Sequence, residues 1–355
     1  MASTSKDDFE EQLHKSDKQV ADFDQQNRTG LQKFQHYLHA NPAMVPVIIL
    51  IMSVVSFGFI AGDKFFSLFN LSLIMQQVGI VGILACAQTL IILTAGIDLS
   101  VAAIMVLSYV VMGNLAVNQG MPTVLAISIG MMVAVGAGTI NGLLVTKVKL
   151  PPFIVTLGTW RIFLAVVYLY TGSQSIRGQD INVAAPLLKF FGQRVNVGGA
   201  VFTYGVFLMI VVFVIVWYLL NRTAWGRHVY AVGDDKEAAD LSGIRSDRVL
   251  LSVYALAGLI CGIGAWAAIG RVGSVSPSSF VDANLDSITA VVIGGTSLFG
   301  GRGAIFGSLF GALIVGVFSS GLKLAGADPQ WELFAIGCLI IAAVALDQWI
   351  RRVSA

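Results

Sequence analysis

The sequence predicts an all-α, polytopic membrane protein with about ten transmembrane helices, some of them short or broken. The 355 residues are 56% hydrophobic and only 12% charged, whereas a soluble chain of this size carries roughly 25% charged residues. A large soluble core cannot absorb that deficit, so the surface itself must be apolar, as lipid requires. A mean hydropathy of +0.80 agrees. Apolar runs recur at lengths near the roughly 20 residues that a crossing helix needs. Glycine is abundant, at 38 residues, and proline scarce, at 8, which suits helices whose backbones approach closely within a bilayer.

Composition also narrows the function classes. The net charge of +2 is spread over the loops with no basic cluster interleaved with aromatics, so no nucleic-acid partner is expected. Cys86, Cys261 and Cys338 each lie inside an apolar run and read as free, buried thiols. His14, His36, His39 and His228 lie in polar stretches without metal spacing. No nucleophile–base set supports a membrane enzyme.

The elements follow in order. Residues 1–44 read as a cytoplasmic tail; its first 30 residues are polar, with no apolar core and cleavage site, so no signal peptide is expected there. Leu31, Phe34 and Leu38 then fall at helical spacing, which reads either as an interfacial amphipathic helix or as more of an unstructured tail. The membrane region covers 45–350, and 351–355 is a short C-terminus. Its candidate spans are 45–62, 72–94, 98–117, 122–146, 153–172, 203–220, 250–270, 285–298, 303–322 and 331–349. The eighth, at about 1.5 Å per residue, reaches only about 21 Å. A short helix at membrane depth is tolerated where protein or a wet cavity covers its ends, and broken helices point to transport paths.

Lysine and arginine set the orientation. With the N-terminus inside, the inner segments hold 15 of them and the outer segments 6 (Lys64, Arg177, Lys189, Arg194, Arg271 and Lys323), with Arg161 inside a span. Both termini and the loop 221–249 are therefore expected to be cytoplasmic. A sequence echo links Gly96-Ile-Asp-Leu-Ser-Val, at the third span, with Asn284-Leu-Asp-Ser-Ile-Thr, at the eighth. Five spans separate them, which is what an inverted five-plus-five repeat predicts, although so short a match also arises by chance.

The loop 221–249 is the one long charged interruption after the first span. Within it, Asp234 or Asp235 can cap a helix start and Gly243 can end it. Between them stand Glu237, Ala238 and Ala239. The bland reading is an ordinary surface helix. The spacing Glu-Ala-Ala-x-x-x-Gly also resembles the motif by which ABC-importer permeases dock on their ATPase partners. Three further stretches agree in order with that resemblance: ILTAGIDLSVAAIMVLS (92–108), LPPFIVTLGTWRIF (150–163) and DSITAVVIGGTSLFGGRGAIFGSLFGALIVG (286–316). Over about residues 45–350 the chain is similar to the permeases of ribose-type ABC sugar importers. It departs from them where Ile-x-Leu-Pro is absent after Gly243, and where Ala95-Gly96 and Ala102 replace family glycines.

The resemblance implies a bacterial inner-membrane permease for a ribose- or fructose-like monosaccharide, working in lipid as a pair with a second copy of itself. It also implies a cytoplasmic ATP-binding subunit, one tandem chain or two, and a periplasmic sugar-binding protein. In it, Glu237, Ala238, Ala239 and Gly243 would make the ATPase-coupling contact. No cofactor is expected in this chain, because ATP would be bound by the partner subunit. No Gly-x-x-x-x-Gly-Lys-Ser/Thr occurs; Gly295–Arg302 lacks the lysine and hydroxyl that hold phosphate and Mg²⁺, and reads as a tight turn.

Polar residues inside the spans leave two readings open. Gln76, Gln88, Thr89, Asn141, Thr156 and Thr159 either line a sugar passage, supplying donors and acceptors, or bond helix to helix. Asp98 and Asp286 read as helix-start carboxylates facing backbone N–H groups, with a role in the transport path as the alternative. Arg161 is expected to snorkel toward the inner face. The competing function is an ion-coupled secondary transporter or channel, which needs carboxylates along its path; the spans carry almost none beyond these two.

Overall fold

The computed structural model describes residues 44–280 and 282–351. The predicted helix around Leu31–Leu38 and the extreme C-terminus lie outside the described residues. Ala43–Ala345 forms one compact unit; of the other, Met1–Pro42 with Leu346–Ala355, only the last turns of the final helix are described.

The helices are α1 (Met44–Ala61), α2 (Asp63–Phe66), α3 (Leu68–Leu93), α4 (Val101–Gly113), α5 (Thr123–Thr146), α6 (Pro152–Thr171) and α7 (Gly178–Ala184). After a strand pair come α8 (Tyr204–Arg222), α9 (Ala224–Asp234), α10 (Lys236–Leu241), α11 (Ser246–Val272), α12 (Ala283–Ile293), α13 (Ile305–Leu324) and α14 (Pro329–Arg351). Their ends follow local chemistry. Pro151 and Pro152 open α6, where a missing N–H costs nothing, and left-handed Gly172 (φ 57°) closes it. Ser67 accepts the Asn70 N–H to cap α3.

Among the described residues, 8 helices are long and apolar enough to cross a membrane. The predicted eighth span is the short α12, of 11 residues, and the predicted tenth lies on α14. A small antiparallel hairpin, β1 (Arg194–Val197) with β2 (Ala200–Thr203), qualifies the all-α expectation. It turns through Gly198-Gly199 at φ 58° and 97°, the glycine pair that tight hairpin turns favour.

Burial separates the centre from the rim. The most apolar stretch of α3 is 83% buried, against 17% for α1, so α3 is central and α1 faces lipid. The central packing is reciprocal. α4 packs on α5 as α12 packs on α13; α11 packs on α5 as α3 packs on α13; and α11 packs on α4 as α3 packs on α12. Exchanging α3 with α11, α4 with α12 and α5 with α13 maps each contact onto another, the relation that an inverted repeat requires. The outer helices break it, because α1 packs on α13 while α8 packs on α3.

Between helices already in lipid there is little hydrophobic drive, so close backbone approach and interhelical hydrogen bonds hold the bundle. On the α5–α11 contact, Gly138 meets Tyr254 and Gly258, Gly142 meets Leu251 and Tyr254, and Gly262 meets Met131 and Ala134. A Cβ on Gly138 would lie 2.3 Å from the Tyr254 carbonyl oxygen, and one on Gly258 would lie 2.4 Å from that of Ala134. The abundance of glycine in the sequence thus has a specific use at this crossing.

Candidate functional site: an exposed helical knob seated on the bundle

α10 is a single short helix with a firm cap at each end. The Asp235 carboxylate accepts the N–H groups of Glu237 (2.9 Å) and Ala238 (3.0 Å), so Asp235, not Asp234, is the N-cap. At the other end Gly243 takes φ 85°, and the Ile244 N–H reaches back to the Ala239 carbonyl at 3.0 Å, the backbone closure of a Schellman motif. The Ser246 N–H then donates to Asp240 at 3.2 Å, and Lys236 pairs with Asp247 at 3.1 Å across exposed surface. A rigid knob results.

The four residues expected to form the coupling contact divide. Glu237, Ala238 and Gly243 are exposed, and a Cβ on Gly243 would meet nothing within 4 Å. Ala239 is buried at 4% exposure, so it seats the knob on the bundle and presents no contact surface. Leu241 is 91% exposed and escaped the sequence reading. Its one visible signal was a lone leucine between Asp240 and Ser242 in a polar loop.

The knob is tied to the central helices. A Cβ on Gly233, at the end of α9, would lie 1.8 Å from the Leu93 carbonyl oxygen at the end of α3. The Gly301 N–H donates to that carbonyl at 3.0 Å, and the Tyr230 hydroxyl donates to the Gly303 carbonyl at 3.0 Å. The Trp225 indole N–H bonds the Ser252 hydroxyl on α11 at 2.8 Å. The Gly295–Arg302 segment is the expected tight turn, closed by Ser297 N–H to Arg302 carbonyl at 2.9 Å. α9, which leads into α10, thus contacts the end of α3, α11 and the turn between α12 and α13.

The polar residues of the spans are held inside the protomer. Thr89 bonds Ser308 of α13 at 2.7 Å, and Gln76 donates to the Val201 carbonyl of the hairpin. Thr156 donates to the Ile97 carbonyl at 3.0 Å, while Thr159 bonds only its own helix. Asn141 donates to the Ser100 hydroxyl at 2.8 Å. Thr89, Asn141, Thr156 and Thr159 are buried. The chain's own packing covers these four, and the bonds they make are within the bundle. Gln88 is also fully buried, and its amide has no hydrogen-bond partner among the described residues.

The carboxylates stand at helix starts, although neither is itself the N-cap residue. Asp98 is not the cap of α4, whose N-cap is Ser100. Asp98 instead accepts from the Ser100 N–H and hydroxyl, both at 2.6 Å, within the break between α3 and α4. Asp286 sits in the first turn of α12, behind Asp282 at the N-cap, where the helix dipole favours it without a capping bond. Arg161 is exposed, with its guanidinium 4.6 Å above the Trp160 ring, a cation–π contact. Cys86 and Cys261 are buried as expected, but Cys338 is exposed.

Comparison with known proteins places this arrangement. Residues 70–344 match the family described as the permease component of the branched-chain amino acid transport system. The chain belongs to this permease family. Over 354 residues the permease is 58% identical to the fructose import permease protein FrcC of Rhizobium meliloti, covering 100% of this chain and 98% of that one. It is 38% identical to the ribose import permease protein RbsC of Bacillus subtilis, over 85% of this chain and 90% of that one. It is 33% identical to the galactose/methyl galactoside import permease protein MglC of Escherichia coli, over 85% and 92% of the two chains. No solved structure matches the permease.

Proposed function

We propose that the chain is the membrane subunit of an ATP-driven importer that carries a monosaccharide, fructose or a similar sugar, across a bacterial inner membrane. The observation that carries this reading is the 58% identity with a fructose import permease over the whole chain. The capped knob at Glu237–Gly243 supports it with a surface that a cytoplasmic ATPase can grip. In this reading two copies pair, the ATPase subunit binds and hydrolyses ATP, and a periplasmic sugar-binding protein delivers the sugar to the outer face. The chain performs no chemistry of its own. Closure of the ATPase moves α10, and the contacts of Gly233 with Leu93 and of Trp225 with Ser252 relay that motion to α3 and α11. The passage then opens alternately to each side.

The test is uptake into proteoliposomes holding the permease, its ATPase and the binding protein. Fructose uptake should require all three and ATP. Gly243→Trp should insert normally yet lose at least about tenfold in sugar moved per ATP, because a bulky side chain now stands where the partner must approach. Uptake by the permease alone without nucleotide, or wild-type coupling in Gly243→Trp, would refute the proposal.

A further inference from the structure

We infer that the polar cavity where α4 ends in a π turn is an entry site for a monosaccharide, which it holds by some of its hydroxyls. The inference rests on the sugar-import reading and on the orientation that puts this end of the bundle outside. The cavity, of ≈ 90 Å³, lies between the π turn Asn114–Asn118, the end of α6, the segment 174–176 and α7. Single turns of π-helix inside an α-helix recur at functional sites. Here the turn brings two amides, Asn114 and Asn118, to one rim.

The chemistry of the lining selects the ligand. Asn114, Asn118 and Gln174 offer amide donors and acceptors, Thr171 and Ser175 offer hydroxyls, and Asp180 offers an acceptor-only carboxylate. No lysine or arginine lines the cavity, and Asp180 would repel an anion. A neutral ligand rich in hydroxyls answers this set. Val110 and Val275 back the cavity from within the bundle, and its accessible lining is polar. Much of the bonding capacity is unused. Thr171 and Ser175 already donate, to Val167 (2.8 Å) and Ser276 (3.0 Å). The side chains of Asn118, Gln174 and Asp180 make no hydrogen bond among the described residues.

The walls are fixed and the size is informative. Ile176 and Val275 exchange backbone hydrogen bonds of 2.8 and 3.0 Å, and a Cβ on Gly113 would lie 2.8 Å from Val275. At ≈ 90 Å³ the cavity has room for a few waters, which is space for some of a sugar's hydroxyls and not for its whole ring. The rest of the ring stays outside, in reach of the protein that delivers it. A site of this size receives a sugar during handover and does not enclose it.

The experiment uses the assembled transporter with D-fructose and D-ribose as probes, and Asn118→Leu and Gln174→Leu, both at exposed positions. Sugar moved per ATP should fall at least about tenfold while the binding protein still stimulates hydrolysis. Unchanged transport per ATP in the double variant overturns the site. A parallel loss of stimulated hydrolysis also overturns it, because the face would then be a docking surface only. Saturation-transfer NMR of the solubilised permease with D-fructose reads the site without transport: transfer lost in Asn118→Leu supports it, and equal transfer in wild type and variant overturns it. A wild-type complex that moves neither sugar would sink the importer reading, and the NMR result would still decide the site.

Discussion

Ala95 carries a conformation that its side chain opposes. It holds φ 58° at the end of α3, with the Gly96 N–H returning to the Ile91 carbonyl at 3.1 Å. That is the C′ position of a Schellman motif, which normally takes glycine. The sequence resemblance marked this residue as a departure from a family glycine, and the backbone explains what the departure costs. Ala95→Gly should stabilise the permease by about 1 kcal/mol, since an L-residue in the left-handed region costs on the order of 1–2 kcal/mol. A thermal-unfolding series in detergent checks it; an unchanged or lower midpoint would count against the strain. Asp240 gives a pH dependence at the same scale. The Ser246 hydroxyl beside it, and then the Ser246 backbone N–H, hold its carboxyl below the usual carboxylate range. A depressed folded value means the stabilisation is present above the unfolded carboxylate pKa and is lost as pH falls through the folded one. Protection of the Ser246 amide from hydrogen exchange, taken relative to its intrinsic rate at each pH, should therefore fall on acidification to that range, and Asp240→Ala should show the lower protection already at pH 7.

Helices meet through glycine, and the consequences belong to pairs of elements. On the α5–α11 crossing, Gly258→Val forces a side chain onto the Ala134 carbonyl, 2.4 Å from the new Cβ. Backbone cannot yield as a flexible side chain would. The helices must separate, at a cost of about 1–3 kcal/mol for overpacking, and the close packing along the rest of the seam loosens with them. Detergent unfolding should show that destabilisation, whereas Gly136→Val, on the same α5 with open space at its Cβ, should not. The spacing of Gly138 with Gly142 and of Gly258 with Gly262 was visible in the chain, because a small residue every fourth position leaves a groove on one face of a helix. Which groove met which helix was not visible. The hairpin at Gly198-Gly199 escaped the sequence reading, because its strands are too short to stand out as apolar runs.

At the scale of the whole molecule, orientation carries the proposed function. From the lysine and arginine asymmetry we propose that α10 lies in the cytoplasm and the hairpin outside. In a Cys338→Ser background, which removes the exposed native thiol, Asn196→Cys should react with a membrane-impermeant thiol reagent in intact cells. Leu241→Cys should react only after the membrane is opened. The reverse pattern would invert the molecule and remove the ATPase from its proposed grip.

Membrane class, span positions and the capped knob were legible because they depend on neighbours in the chain: about 20 apolar residues, an aspartate before a helix, a glycine after it. Their physics is complete within a turn or two. The partners of the polar span residues and the division of the two alanines were not. Thr89 finds Ser308 across 219 residues of chain, and Asn141 finds Ser100 across 41. Ala238 and Ala239 are identical neighbours, one exposed and one buried. Only the tertiary structure decided these, because a hydrogen bond or a covered face depends on what another helix brings to it, and no local pattern encodes that partner.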